Sequence, residues 1–232
     1  MSVSNSISRL TEHLRRHGIA ATFRRAGLAA KRSVFANRMV VFYCDLDARR
    51  LRPVDIPKEF KVTRINALSN LEPQRFEEIT GFWNPKLASR NVCERFEKGA
   101  YLWLIECEDE LAGYGWTLRG RTIETYYFPL TSEDAHFFDF HVFPPYRGRG
   151  LNALLVGHIL EHLAKEGGGR AFIEAAEWNE PQLNSLRKTP FRRLGLVRIH
   201  RILNRTSVSW AGKSLRFEQL ENGRLDVLRP NE

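Results

Sequence analysis

The stretch AHFFDFHVFPPYRGRGLNALLVGHILEHLA, from Ala135 to Ala164, restricts what this chain can fold into more than any other. Aromatic and β-branched residues between Phe137 and Phe143 predict a strand, stopped by Pro144 and Pro145, which cannot donate to a sheet ladder. Apolar residues then recur at Leu151, Leu154, Leu155, Ile159 and Leu163, a helical spacing that ends in the glycines at 167, 168 and 169. Between strand and helix lies Arg147-Gly148-Arg149-Gly150. Such a loop points unpaired backbone N–H groups and the positive end of a helix dipole at one spot, and its glycines let an anion come close to the backbone. The two arginines add bidentate donors. The expected guest is a phosphate or pyrophosphate.

With 232 residues, 43% of them hydrophobic, the chain can bury the core of one large domain and carry an extension besides. Cys44, Cys93 and Cys107 form an odd set without metal-ligand spacing. That argues against a disulfide framework, predicts no metal site and points to a reducing compartment. No apolar run approaches the ~18 residues of a membrane span, and the N-terminal residues lack the apolar core of a signal peptide. A cytoplasmic location follows, with peripheral contact at a membrane left open. The formal charge is +9, and Arg9, Arg15, Arg16, Arg24, Arg25, Lys31, Arg32 and Arg38 face the single acid Glu12 within the first forty residues. Ser6 to His17 and Ala21 to Ser33 have helical apolar spacing. One reading is a helical arm packed on its own domain or on a second copy in a homodimer. The other is a basic amphipathic helix that docks on a membrane surface or an acidic acyl carrier protein. No specific nucleic-acid partner is expected.

Taken in order, residues 1–45 read as the basic arm plus the apolar strand Met39 to Tyr43, 46–59 as a charged connection, and 60–232 as the folded domain. Strands are predicted at Phe60 to Ile65, Tyr101 to Glu106, Glu110 to Leu118 and Thr122 to Phe128, and helices at Leu71 to Thr80 and Leu87 to Lys98. After the central motif come a buried strand, Ala171 to Ala176, a short helix, Pro181 to Lys188, a strand from Phe191 to Leu203, and edge strands near Val208 and Leu215 to Phe217. A hairpin first and one βαβ unit later make an α+β (mixed α/β) fold: a central mixed, mostly antiparallel sheet flanked by helices, with a basic helical N-terminal extension.

The run V-F-P-P-Y-R-G-R-G from Val142 resembles the coenzyme A loop of the GNAT superfamily of N-acyltransferases, written Q/R-x-x-G-x-G/A after a strand ending in V-x-P. Arg147 and Gly150 occupy the first and fourth places, and Asn152 stands where glycine or alanine is usual. N-E-P-Q-L-N-S-L-R-K-T-P-F, from Asn179 to Phe191, is similar to the family's N-x-x-S/A…K-x-G-F, with a competing register from Asn184 to Gly195-Leu196. The order of elements from Phe60 to about Leu203 also looks like that fold. The resemblance implies that the donor is acetyl-CoA or another acyl-CoA, with its pyrophosphate on Arg147, Gly148, Arg149, Gly150, Leu151 and Asn152. Its pantetheine would lie near Val142, whose N–H polarises the thioester carbonyl, with Asn179 nearby. An amine of a small-molecule acceptor would attack directly. Neither register supplies the tyrosine that often serves as general acid, because Leu186 or Phe191 stands there.

For the base, alternation puts His136, Phe138, Phe140 and Val142 on one face and Phe137, Asp139 and His141 on the other. His136 is therefore the first catalytic candidate. Asp139 is the second, reaching the same face only through a bulge. Glu124, Tyr126, Tyr127 and Glu177 are weaker candidates. For each, a polar group satisfied by hydrogen bonds is the competing interpretation.

Two other motifs occur in the same stretch. Gly148-Arg149-Gly150-Leu151-Asn152-Ala153 satisfies the dinucleotide pattern G-x-G-x-x-A, with Glu174 placed as a ribose-binding acid, but only one crossover can follow it. His158-Ile159-Leu160-Glu161-His162 spells H-x-x-E-H, yet both histidines share the apolar helix face and packing on the sheet is the simpler reading. The aromatic set Phe82, Trp83, Trp103, Trp116, Tyr126, Tyr127 and Phe128 reads as core, part of which can wall an acceptor pocket. Two alternatives stand beside acyl-CoA transfer: transfer from an acyl carrier protein greeted by the basic arm, and a non-catalytic CoA-binding or interaction module.

Overall fold

A computed structural model describes residues 38–81, 84–123, 126–202, 205–211, 217–219 and 225–227. The two N-terminal helices, Glu124, and the pair Phe82 and Trp83 lie outside the described residues. The strands are β1 (Arg38–Asp45), β2 (Phe60–Ile65), β3 (Tyr101–Cys107), β4 (Glu110–Arg119), β5 (Ala135–Val142), β6 (Arg170–Ala176), β7 (Arg192–Ile202), β8 (Arg205–Ala211), β9 (Phe217–Gln219) and β10 (Leu225–Val227). The α-helices are α1 (Pro73–Gly81), α2 (Pro85–Glu97), α3 (Leu151–Lys165) and α4 (Glu180–Leu186). Strands β1 to β8 form one sheet in the order β2-β3-β4-β5-β6-β1-β7-β8, and β9 pairs with β10. Only β5 and β6 run parallel among the paired strands, which gives the mostly antiparallel mixed sheet expected from the sequence. No helix among the described residues is long and apolar enough to cross a membrane.

The sheet is buried on both faces. Leu151, Leu155, Ile159 and Leu163 of α3 pack on Trp103, Ile105, Phe137 and Ile173. On the opposite face Ile79 of α1 and Val92 and Phe96 of α2 cover Leu102, Leu104, Tyr114 and Trp116. Two helix starts are legible locally: Pro85 follows the N-cap Asn84, whose side chain accepts from the Leu87 amide, and α4 begins after Asn179, which caps it the same way through Gln182.

Two expectations need correction. The strand set apart from the domain is an interior strand of its sheet. β1 runs antiparallel to β6 from Met39 to Asp45 and antiparallel to β7 along its other edge, and Val41 is fully buried. A strand hydrogen-bonded on both edges and covered on both faces has to be apolar throughout, which is how Met39 to Tyr43 reads. The second correction concerns Thr122 to Phe128, whose described residues form an irregular connection between β4 and β5. Its aromatics pack instead of pairing: the Phe128 ring stands edge-on to Phe172 at 5.0 Å and the Tyr126 ring 4.8 Å from that of His136.

Candidate active site

The site is built where β5 leaves its neighbour. The parallel ladder between β5 and β6 has three rungs, ending at Phe137 opposite Ile173. Beyond them β5 continues to Val142 paired with β4 alone. The Phe143 amide donates to the Ala112 carbonyl across that β4 edge at 3.0 Å. Amides of successive strand residues point to opposite edges, so the Val142 N–H points away from β4, into the opening.

At the mouth of the opening, Pro144–Tyr146 makes one 3₁₀ turn and the loop follows. Gly148 and Gly150 adopt φ of 82° and 77°, a left-handed backbone that glycine takes without steric cost. Gly150 is the N-cap of α3. The amides of Leu151, Asn152 and Ala153 therefore sit in a first helical turn that has no intrahelical acceptor for them, with the positive dipole end behind them. Arg147 Nε donates to the Val142 carbonyl at 2.9 Å, tying the loop to the strand, and the Arg149 guanidinium lies over the Tyr146 ring. The Tyr146 hydroxyl donates to Glu110 at 2.6 Å, which pushes its phenol up to about 12. α4 closes the other side: Asn152 Nδ2 donates to Ser185 Oγ at 2.9 Å. The result is a cavity of about 550 Å³ bordered by Val142, Arg147, Gly148, Gly150, Leu151, Asn152, Asn179 and Lys188 among others. Of the predicted loop residues, only Arg149 stands outside this lining. Asn179 has a structural duty as well, since its side chain caps α4.

The two base candidates lie elsewhere on β5, and their geometry departs from strict alternation. Between the pairs Tyr114–His141 and Trp116–Phe138 the register shifts, so Asp139 and Phe140 together oppose Gly115. This is a β-bulge, and Asp139 has φ 48° within it. The bulge reverses the phase of the strand. Phe140 stacks on Phe137 and joins, with Val142, the core under α3, while His136 and Phe138 stack on the other face. The expectation that His136, Phe138, Phe140 and Val142 share a face is therefore corrected. Asp139 is turned toward α2, where its carboxylate accepts from Arg95 at 2.5 Å.

His136 is 5% exposed and its Nε2 lies 3.0 Å from Glu174 Oε2. A carboxylate can only accept, so in the neutral ring Nε2 carries the hydrogen and Nδ1 keeps the lone pair, a tautomer assigned from this contact. Nδ1 is buried and has no hydrogen-bond partner among the described residues. Burial and the Glu174 charge push the neighbouring Tyr126 phenol well above its ordinary value. Glu174 is the residue that sequence reasoning missed, appearing there only as a ribose-binding acid. Its signal was a lone acid in the apolar run Ala171 to Ala176. The histidines of H-x-x-E-H instead face Trp103, with ring centroids at 6.4 and 5.2 Å, and Glu161 accepts from the Val54 amide. Leu186 and Phe191, at the two registers for a tyrosine, are buried in the core.

The family model described as the Acetyltransferase (GNAT) family matches residues 65–188, more than half of the chain. The chain belongs to the GNAT acetyltransferase family. Among solved structures it is similar to a tandem GNAT protein from the clavulanic acid biosynthesis pathway, at 15% identity over 81% of this chain and 59% of that one, with a TM-score of 0.52. It is also similar to a GNAT-family acetyltransferase from Colwellia psychrerythraea (13% identity, 68% and 53% covered, TM-score 0.48). A third similar structure is an aminoglycoside acetyltransferase from an uncultured soil metagenomic sample (17% identity, 58% and 90% covered, TM-score 0.42). The chain spans 48% to 60% of the length of several other solved chains that it matches. No curated protein matches it.

Proposed function

We propose that the protein transfers an acyl group, most simply acetyl, from acyl-CoA to an amine of a small molecule. The observation that carries this reading is the opening between β5 and β6, with the Val142 N–H facing into it and the glycine loop at its mouth. The pyrophosphate is held by the α3 amides with Arg147 and Arg149 beside them, and the pantetheine runs past Asn179 to Val142. The amine nitrogen attacks the thioester carbon, the Val142 N–H stabilises the oxyanion, the C–S bond breaks and CoA leaves as thiolate. The proton lost by the attacking nitrogen passes to water in the opening, with the part-exposed Asp139 carboxylate, three residues along β5 from Val142, as its acceptor. Six residues of strand, roughly 20 Å at ~3.3 Å each, separate His136 from Val142, beyond the reach of a general base, so His136, buried and paired with Glu174, supports the strand. Asp139 has a left-handed backbone and is ion-paired with Arg95, and it is the nearer of the two candidate bases to Val142. Glu174 fixes the His136 tautomer.

The test measures thiol release from acetyl-CoA across a panel of amines. Asp139→Asn is expected to lower kcat about a hundredfold with CoA affinity unchanged, whereas His136→Gln is expected to lower the melting temperature and change kcat little. Arg147→Glu is expected to raise KM for the donor with little effect on kcat. Saturable CoA binding without turnover of any amine would replace this reading with that of a CoA-binding module.

A further inference from the structure

α3 connects two cavities. Its N-terminus borders the loop cavity, while Leu163 and Glu166 at its other end border an opening of about 700 Å³. The 15 residues of the helix, at ~1.5 Å each, put roughly 22 Å between the two. The second cavity is framed by the ends of β2, α2 and β4, and nothing in the acyl-transfer reading uses it.

Its lining is strongly basic. Among the described residues, Arg64, Lys98, Arg119 and Arg121 stand around it with Glu166 as the one acid of its lining, four positive charges against one negative, a surplus of three. Arg64 is the cation already neutralised: it meets Glu166 at 2.5 Å and lies 3.7 Å over the Tyr101 ring. The other three are satisfied by backbone carbonyls. Lys98 Nζ donates to Ile123 at 3.2 Å, Arg119 to Gly167 at 3.2 Å and Arg121 to Lys98 at 2.5 Å. These carbonyls, just beyond the C-termini of α3 and α2, occupy one donor of each arginine and leave four, with the full charge. A carbonyl orients a guanidinium; only an anion neutralises it.

We propose that this cavity binds a small, multiply charged phosphate ligand, with Arg119 and Arg121 as its principal donors. Planar guanidinium groups match phosphate oxygens two at a time. A surplus of three charges exceeds what a single carboxylate would neutralise, and a concave site of this volume takes a small molecule rather than an extended polymer.

Inorganic pyrophosphate is the probe, titrated calorimetrically at low salt into the full chain carrying Arg147→Glu and Arg149→Glu, which silence the loop. One site with a dissociation constant below about 100 μM is expected. Arg119→Gln with Arg121→Gln should weaken it at least about tenfold. Glu166→Gln, which removes the competing carboxylate from Arg64, should tighten it severalfold. That gain decides the matter even if the double variant fails to fold, which circular dichroism reports. Tighter binding of a nucleoside diphosphate than of pyrophosphate would assign the ligand to nucleotides, and weaker binding to other phosphates; both support the site. Binding unchanged in the Arg119 and Arg121 variants, no tightening by Glu166→Gln, or retention on heparin without pyrophosphate binding would overturn it.

Discussion

Asp139 and Gly115 form one device, and each explains the other. A Cβ on Gly115 would stand 2.3 Å from the Phe140 ring, which fills that space because the bulge pushes it there. The ring cannot swing away, being stacked on Phe137 with centroids 5.9 Å apart. Gly115→Ala is therefore expected to destabilise the protein by about 1–3 kcal/mol and to disturb Asp139; a thermal melt and the Asp139→Asn and Gly115→Ala activity profiles check this, and an unshifted melt would remove the argument. Cysteine chemistry gives a second residue-scale expectation. Burial, reinforced by the Asp45 charge, pushes the Cys44 thiol up to about 11, whereas Cys93 and Cys107 are only half-buried. Since the thiolate is the nucleophile, iodoacetamide at pH 8 should label Cys93 and Cys107 before Cys44, as read by mass spectrometry of the folded protein. Early labelling at Cys44 would contradict its placement.

At the scale of elements, what was legible in the sequence was what is contiguous. The strand, loop and α3 are consecutive, their spacing is local, and the residues expected around a phosphate all lie near one cavity except Arg149. The His136–Glu174 contact joins residues 38 apart in sequence, and no periodicity announces such a pairing. The bulge entered the sequence reading only as the condition on which Asp139 would change face, because its strand contains no glycine or proline between Phe137 and Val142 and the signal, Gly115, sits on the partner strand. Most opaque was β1, because the pattern of an apolar strand shows that it is buried but not between which neighbours. Its position yields a sharp expectation. Val41 pairs with Glu174 on one side and Gly195 on the other, so Val41→Pro removes a ladder donor from an interior strand and should cost at least about 3 kcal/mol. A chain beginning at residue 60 should likewise fail to give a cooperative melt; native-like melting of that chain would show that β6 and β7 close without β1.

For the whole molecule, the titrating groups predict how stability depends on pH in two stages. Burial lowers the pKa of His141 and of His158 below the ordinary 6.5, with the Arg147 charge adding to the effect on His141 and His162 to that on His158. A histidine whose folded pKa is depressed contributes stability that is complete above the unfolded value. That stability is lost as pH falls from there through the folded value, because the unfolded chain takes up the proton first. Melting temperature should therefore begin to fall below about pH 6.5, before any carboxylate titrates. Glu161 and Glu166 are also held below their ordinary 4.5, Glu161 by the Lys165 ammonium and the Val54 amide, Glu166 by Arg64 against the opposing effect of burial. Their contribution is lost only below that value. Lys165 is largely exposed, so solvent screens its pair and salt should shrink this second stage while leaving the first. His141→Gln and His158→Gln should each flatten the melt between pH 6.5 and 5 without moving the later fall. Because the two histidines belong to different elements and do not touch, their effects should add. A single acid transition below pH 4.5, unchanged in both variants, would mean that neither ring is buried as its lowered pKa requires.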